Sequence, residues 1–267
     1  MAGLEAKVFI AGACAPHSKA QMRESAIMVA SVTRAIFADK LVSVFIRTVA
    51  TKEPTLPIKW TGAGVATWLH GLEVCQETGT SPATEITSIE EAENFGLLCK
   101  LFGTKIALIW FGSRLFKGRQ IQESTEIVMK SVPELLVAIK NPPNENPRDW
   151  DGRTRWALES GIDPNRVFII NRGFDPQQRE NHQRLRNIPN HDMTFSLAQN
   201  LKVRTILDAS HSGGSPCLVQ LILKGPKSQK YDGWMLETSP TPTKTDEKQR
   251  LTLSKFISAT RIVARYI

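Results

Sequence analysis

Short apolar runs alternate with longer amphipathic segments along the whole chain. The runs are rich in β-branched and aromatic residues and are apolar on successive positions, which is typical of parallel strands buried on both faces. Eight candidate strands occur, at residues 7–12, 41–49, 82–86, 105–112, 134–141, 166–173, 202–210 and 233–239.

Between these runs, apolar residues recur at helical spacing. Ser88 can cap a helix over 89–101, because Glu90 and Glu91 follow it and suit the positive end of a helix. The other predicted helices are 21–38, 64–78, 123–131, 153–160, 192–201, 215–224 and 251–266.

Strand and helix alternate eight times, which predicts an α/β fold of the (β/α)8 TIM-barrel type. A doubly wound open sheet is the alternative, but it usually has fewer strands and one glycine-rich phosphate loop, which this sequence lacks. No stretch of linker composition divides the 267 residues. We therefore expect residues 1–267 to form a single barrel domain.

Composition and charge narrow the class of ligand. Hydrophobic residues make up 41% and charged residues 22%, as in ordinary globular proteins, and the formal net charge is +8. The basic residues are scattered, and no aromatic–basic motif accompanies them. We therefore expect small anionic substrates rather than nucleic acid or a membrane surface.

The four cysteines, Cys14, Cys75, Cys99 and Cys217, have wide and irregular spacing. A disulfide framework is not expected in a chain of this size. The sequence has no cleavable apolar leader and no apolar run long enough to span a bilayer. These features predict a cytoplasmic, reducing location.

Polar residues cluster where the predicted strands end. In a parallel barrel all carboxyl ends of the strands meet at one mouth, although alternation lets some side chains face outward. The residues at these ends are Cys14, Arg47, Lys52, Thr84, Glu85, Arg114, Lys140, Asn141, Asn171, Arg172, Asp208, Ser210, His211 and Glu237.

Two chemical groups stand out. Five cations would repel one another in one pocket unless an anion shared it, and arginine suits bidentate capture of carboxylate or phosphate. Solvated rim charges are the alternative for any single one. These cations are Arg47, Lys52, Arg114, Lys140 and Arg172.

The second group contains a thiol, an imidazole and two carboxylates, which together suit a divalent ion such as Mn, Fe, Co or Zn. Their dispersed spacing is no metal fingerprint, and a hydrogen-bonded loop role for the histidine is the alternative. The group is Cys14, His211, Glu237 and Asp246.

An ordered series of motifs resembles the class I 3-deoxy-D-arabino-heptulosonate 7-phosphate (DAHP) synthases, also called 3-deoxy-7-phosphoheptulonate synthases, in their short form. The 3-deoxy-D-manno-octulosonate 8-phosphate (KDO8P) synthases are more distantly similar. The motifs are IAGACA (10–15), RTVATKEPTLP (47–57), ATE (83–85), WFGSR (110–114), IKNP (139–142), NRGF (171–174), RN (186–187), DASHSGG (208–214), GWMLET (233–238) and DEKQ (246–249).

The resemblance implies a metal-dependent, aldol-type condensation of phosphoenolpyruvate with a phosphorylated aldose, with erythrose 4-phosphate as the first candidate. This reaction is the first step of the shikimate pathway of aromatic amino-acid biosynthesis. It implies a homo-oligomer and a divalent metal held by Cys14, His211, Glu237 and Asp246. Lys52 stands at the position of the catalytic proton donor. Substrate-binding positions are Arg47, Lys52, Thr55, Arg114, Lys140 and Arg172.

Two departures from the family's motifs keep other functions open. Where the family has Lys-Pro-Arg-Thr, this chain has Lys52-Glu53-Pro54-Thr55, without the arginine that helps to hold the aldehyde's phosphate. Asn171 replaces a histidine. The alternatives are a relative that uses a different aldehyde and a catalytically impaired barrel that binds phosphoenolpyruvate. Cys14 distinguishes the chain from metal-free KDO8P synthases, which have asparagine there.

Overall fold

The computed structural model describes residues 6–51, 64–112, 118–144, 146–176, 184–244 and 246–267. Eight parallel strands pair in sequence order, and the first pairs with the last to close a barrel. The predicted (β/α)8 fold is thus confirmed. The strands are β1 Lys7–Gly12, β2 Val42–Arg47, β3 Ser81–Ile86, β4 Ile106–Phe111, β5 Glu134–Lys140, β6 Val167–Asn171, β7 Arg204–Asp208 and β8 Gly233–Glu237.

Helices cover the outside of the barrel. Among the described residues, no helix is both long enough and apolar enough to cross a bilayer. The helices in that part of the chain are α1 Lys19–Phe37, α2 Ala66–Thr78, α3 Ile89–Leu101, α4 Arg119–Met129, α5 Pro147–Leu158, α6 His191–Leu201, α7 Ala209–Gly213, α8 Pro216–Lys224 and α9 Leu253–Val263.

Helices α5 and α7 differ from the predicted pattern because of their capping residues, and α4 begins at Arg119, four residues before the predicted start at 123. Helix α5 begins at Pro147, six residues before the predicted start at 153. The side chain of Asn146 accepts the N–H groups of Arg148 and Asp149, and proline suits the first helical position. The short helix α7 was not predicted. It begins directly after β7 because Asp208 accepts the backbone N–H of His211 at 3.1 Å.

Apolar side chains fill the inside of the barrel and, separately, the space between strands and helices. Along each strand, alternate residues belong to the inner layer. The fully buried members of that layer include Ile10, Phe45, Leu108, Trp110, Ala138, Ile170, Ile206 and Met235.

Candidate active site

The inner row of several strands ends in a charged residue. In each case the charged residue lies two positions after an apolar residue of the barrel interior, so alternation directs both to the same side. At the carboxyl ends of the strands, the side chains that face the barrel interior are therefore charged, and they form a layer at the mouth. The pairs are Phe45 and Arg47, Ala138 and Lys140, Ile170 and Arg172, Ile206 and Asp208, and Met235 and Glu237.

Arg47 connects three strands at this mouth. It is only 2% exposed, and its Nη2 lies 3.1 Å from Glu237 Oε1. The same nitrogen donates to the carbonyl oxygen of Cys14 at 3.0 Å, and Nε donates to that of Ala13 at 3.2 Å. Burial lowers the pKa of Arg47, but the negative charges around it, Glu237 foremost, raise the pKa by more. Arg47 is therefore a fixed, permanently charged donor.

Lys140 and Arg47 flank one indole ring. The Lys140 Nζ atom and the centre of the Arg47 guanidinium each lie 5.3 Å from the ring centroid of Trp110. Lys140 Nζ also lies 3.4 Å from Asp208 Oδ2. Burial would raise the pKa of Asp208, but the charges of His211, Lys140 and Arg47 hold that pKa well below its usual range. Asp208 is therefore an anion that fixes the lysine.

Two buried donors in this cluster lack an acceptor within the described part of the chain. They are Nη1 of Arg47 and Nε1 of Trp110. A buried donor without a partner costs about 1–3 kcal/mol, so such groups commonly mark the place of a ligand. Their side chains pack against each other, and an anion with several acceptor oxygens suits the place where they meet.

A group of metal-ligating atoms lies beside Arg47. The Cys14 thiol and one carboxylate oxygen each of Glu237 and Asp246 lie within 4.8 Å of one another. The thiol donates to Asp246 Oδ2 at 3.2 Å. Ligand atoms around one tetrahedral ion lie about 3.4–3.8 Å apart, so these three residues can hold one divalent ion if their side chains move together by roughly 1 Å.

His211 adjoins this group from α7. Its Nε2 lies 3.5 Å from Glu237 Oε1, and its Nδ1 lies 2.7 Å from Asp208 Oδ2. If Nδ1 donates its proton to Asp208, the Nε2 lone pair remains for a metal, which is the usual carboxylate–histidine–metal arrangement. The donor set of a thiol, an imidazole and two carboxylates therefore fits a divalent transition metal.

The outer oxygens of the two carboxylates are also bound. Gln249 donates to Glu237 Oε2, and Arg186 donates to Asp246 Oδ1 at 2.7 Å. Gln249, Arg186 and Trp110 have no individual role in the sequence-based prediction, and Asp208 appears there only as a residue at a strand end. Trp110 lies on the inner row of its strand and could have been selected, whereas no periodic signal marks Gln249 or Arg186.

Of the predicted strand-end residues, Thr84 does not face the mouth. The hydroxyl of Thr84 accepts from the Trp68 indole of α2 at 2.9 Å, on the outer side of the sheet. Arg172 follows β6, and its backbone N–H donates to Asn141 Oδ1 at 2.7 Å. The predicted site residues Lys52, Thr55 and Arg114 lie outside the described residues.

Residues 1–266 match the family model of the DAHP synthetase I family. The chain belongs to this family. The DAHP synthetase I family comprises C–C bond-forming transferases that condense phosphoenolpyruvate with a sugar phosphate and are generally metal-dependent. No curated protein sequence matches the chain significantly.

Solved DAHP synthases share the fold. A DAHP synthase (phospho-2-dehydro-3-deoxyheptonate aldolase) from Thermotoga maritima superposes with a TM-score of 0.76 at 18% identity, over 96% of this chain and 68% of that one. A truncated form of the DAHP synthase from the same organism gives a TM-score of 0.69 at 18% identity, over 96% of this chain and 85% of that one.

Asn171, at the position where the resemblance expects a histidine, has its side chain outside the barrel mouth. Its amide donates to the hydroxyl groups of Thr194 and Tyr231, each at 2.9 Å. Thr194 belongs to α6, so this amide joins the end of β6 to the covering helix. The substitution therefore changes the packing behind the strand and not the lining of the mouth.

Proposed function

We propose that the chain is a metal-dependent 3-deoxy-7-phosphoheptulonate synthase-like transferase that condenses phosphoenolpyruvate with a phosphorylated aldose. The first candidate for this aldose is erythrose 4-phosphate. One side chain carries the proposal. Arg47 holds Glu237 of the metal-ligating group through Nη2, at 3.1 Å, while its buried Nη1 has no acceptor among the described residues. The proposed anion and metal sites therefore adjoin at one arginine, which would hold two bound substrates side by side.

Phosphoenolpyruvate fits the cationic side of this mouth. It carries a carboxylate and a phosphate, and we assign Arg47, Lys140 and Arg172 to holding them. The indole N–H of Trp110 supplies a further buried donor between Arg47 and Lys140. In this buried place each charged hydrogen bond is stronger than at a wet surface. These residues orient the enol and stabilise charge without covalent work.

Cys14, His211, Glu237 and Asp246 would hold the divalent ion, with Mn, Fe, Co and Zn as candidates. When bound, such an ion supplies a Lewis acid for the aldehyde oxygen. In the proposed reaction, C3 of phosphoenolpyruvate bonds to the aldehyde carbon, water adds at C2, and inorganic phosphate leaves. The alkoxide formed from the aldehyde takes a proton, which the resemblance assigns to Lys52.

A phosphate-release assay tests the proposal. The purified chain, stripped of metal and then supplied with Mn²⁺, is mixed with phosphoenolpyruvate and erythrose 4-phosphate, and a chelator is added to a parallel sample. We expect phosphate release that needs both substrates and stops on chelation. Release that persists in the chelator would contradict the metal requirement. Calorimetric binding of phosphoenolpyruvate with no release for any acceptor would instead identify an impaired binding protein.

A different aldehyde is the second candidate, and Pro54 favours it. In the resembling loop the family's arginine helps to hold the acceptor's phosphate, and proline has no donor for that contact. The same assay with a panel of sugar phosphates that differ in chain length distinguishes the two. The sugar phosphate with the largest kcat/KM is identified as the acceptor.

A further inference from the structure

A polar link joins the outer oxygens of the two carboxylates in the metal-ligating group. We propose that Arg186 and Gln249 are positioning residues, which together set the orientation of Asp246 and Glu237 for metal binding. The proposal rests on the metal site of the proposed function and deepens it. Neither residue belongs to the candidate ligand set.

The link consists of three consecutive hydrogen bonds. Arg186 Nη1 donates to Asp246 Oδ1 at 2.7 Å and to Gln249 Oε1 at 2.6 Å. Gln249, which is only 1% exposed, donates through Nε2 to Glu237 Oε2. The amide of Gln249 thus accepts from the arginine and donates to the glutamate, and this pattern determines which of its two ends faces each partner.

The link holds the outer oxygen of each carboxylate, and the other oxygen faces the ligand group, where Arg47 also contacts Glu237 Oε1 at 3.1 Å. Asp246 keeps Oδ2 at 3.2 Å from the Cys14 thiol, and Glu237 keeps Oε1 at 3.5 Å from His211 Nε2. A carboxylate without such a contact rotates about its last bond and loses this placement. The link therefore selects one oxygen of each acid as the ligand atom.

Charge gives Arg186 a second effect on the same group. Once the Cys14 thiol loses its proton, the thiolate and the two carboxylates together carry three negative charges, which repel one another at these distances. Arg47 contacts Glu237 from the barrel interior, and Arg186 contacts Asp246 from the opposite part of the group. The two arginines allow the anionic ligands to remain close before an ion is bound.

The backbone around Arg186 is itself fixed to the histidine-bearing helix. The N–H of Asn187 donates to the carbonyl of Ser212 at 3.0 Å, and the Asn187 side chain donates to the carbonyl of His211 at 2.6 Å. Gly214 has a φ of +72°, and a Cβ there would lie 2.6 Å from the Cβ of Arg186. The glycine therefore leaves the space that Arg186 occupies.

Co²⁺ binding tests the proposal without reference to catalysis, because a cobalt–thiolate charge-transfer band reports the ion beside Cys14. Metal-free protein is titrated with Co²⁺ alone. We expect Arg186→Met and Gln249→Met each to weaken binding about 10–100-fold and to change the band. Arg186→Lys, which keeps the charge and one donor, should recover part of the affinity.

Lys248→Met is the matched control. Lys248 lines the same cleft of about 560 Å³ as Arg186 and adjoins Gln249. Loss of a nearby positive charge alone should leave cation binding unchanged or slightly tighter. Weaker binding in Arg186→Met beside unchanged binding in Lys248→Met therefore reports orientation. Thermal melting of each metal-free variant separates this effect from loss of folding.

The double variant tests whether the two residues act together. Because they form one link, Arg186→Met with Gln249→Met should lose less affinity than the sum of the single losses. Wild-type affinity in both single variants would overturn the positioning role while the metal site stands. If the wild-type protein itself binds no stoichiometric Co²⁺, the metal site and the positioning role are both wrong.

Discussion

Oδ2 of Asp208 lies 2.7 Å from Nδ1 of His211. The same oxygen lies 3.4 Å from Nζ of Lys140, a proposed substrate cation. One buried carboxylate thus contacts both halves of the candidate site. The separation of His211 from Asp208 is only three positions in sequence, and helix α7 brings them together.

Asp208→Asn is expected to weaken binding of both Mn²⁺ and phosphoenolpyruvate. The amide cannot replace the charge that orients His211 and fixes Lys140, and changes around a ligating histidine cost about 10–100-fold in metal affinity. Calorimetry with each ligand separately measures both effects. Asp232→Asn is the control, because Asp232 pairs with Thr205 and Lys7 and with no residue of the site. Unchanged affinity for both ligands in Asp208→Asn would contradict the shared role.

Cys14→Ala is expected to abolish the cobalt–thiolate band and metal-dependent turnover, while phosphoenolpyruvate still binds. Arg47 donates to the backbone carbonyl oxygen of Cys14, which alanine retains, so we expect the anion site to persist. Absorption titration and calorimetry measure the two properties. Cys217→Ala, at an exposed thiol, should change neither. A band that persists in Cys14→Ala would place the metal elsewhere.

Cys75 and Cys99 should not compete for the ion. Burial raises the pKa of each of these two thiols to about 12, so both remain protonated at neutral pH. Their replacement by alanine should therefore leave the Co²⁺ spectrum as it is.

Lys140→Met is expected to weaken phosphoenolpyruvate binding about 10–100-fold, because a hydrogen bond to a charged group contributes about 1.5–3 kcal/mol. Lys140→Arg should retain part of the affinity through its charge. Lys105→Met, at an exposed lysine before β4, is the matched control and should bind normally. Calorimetry at two salt concentrations measures all three. Equal affinity in Lys140→Met and Lys105→Met would remove Lys140 from the anion site.

Asn171→Ala is expected to destabilise the fold by about 1–3 kcal/mol, because it removes the donor for Thr194 and Tyr231 and leaves those buried groups short of a partner. Its side chain faces α6, so KM for phosphoenolpyruvate should stay at the wild-type value. Urea unfolding and steady-state kinetics measure the two quantities. A raised KM with normal stability would show that Asn171 acts in the mouth.

Because of His191, we expect the free energy of unfolding to fall on mild acidification. Burial, together with the charge of Lys227, lowers the pKa of His191 from 6.5 to about 4. Between these values the unfolded chain binds a proton that the folded chain does not, so stability falls as the pH drops from 6.5 toward 4. The free energy of unfolding should fall by about 2 kcal/mol, a figure reduced because the His191 ring is partly exposed to solvent. Urea unfolding at several pH values should show this component, and His191→Gln should lack it.

The barrel could be predicted from the sequence because its strands are apolar at successive positions and regularly spaced. All eight predicted strands overlap observed ones, and the helix over Ile89–Leu101 has the predicted bounds. The errors at α5 and α7 arose from polar residues that act locally. Asn146 begins α5 early, and Asp208 begins α7 directly after a strand. Such capping contacts override periodicity over a single turn.

The candidate site was predictable where its residues lie on the inner row of a strand. Arg47, Lys140 and Glu237 follow from alternation, whereas Asp246 follows no strand directly, so alternation does not select it. The contact between Arg186 and Gln249 joins positions 63 residues apart in two irregular segments. Neither segment has a period that would show the pairing, so only the folded backbone reveals it.

The metal-ligating group comes together only when the last strand, β8, pairs with β1 and closes the barrel. Cys14 and Asp246 are 232 residues apart in the chain, yet their side chains are hydrogen-bonded. During translation, Cys14 is therefore made 232 residues before Asp246. The pair can therefore bind an ion only after the segment that contains Asp246 has been translated. During refolding, the absorbance of bound cobalt would report when the barrel closes.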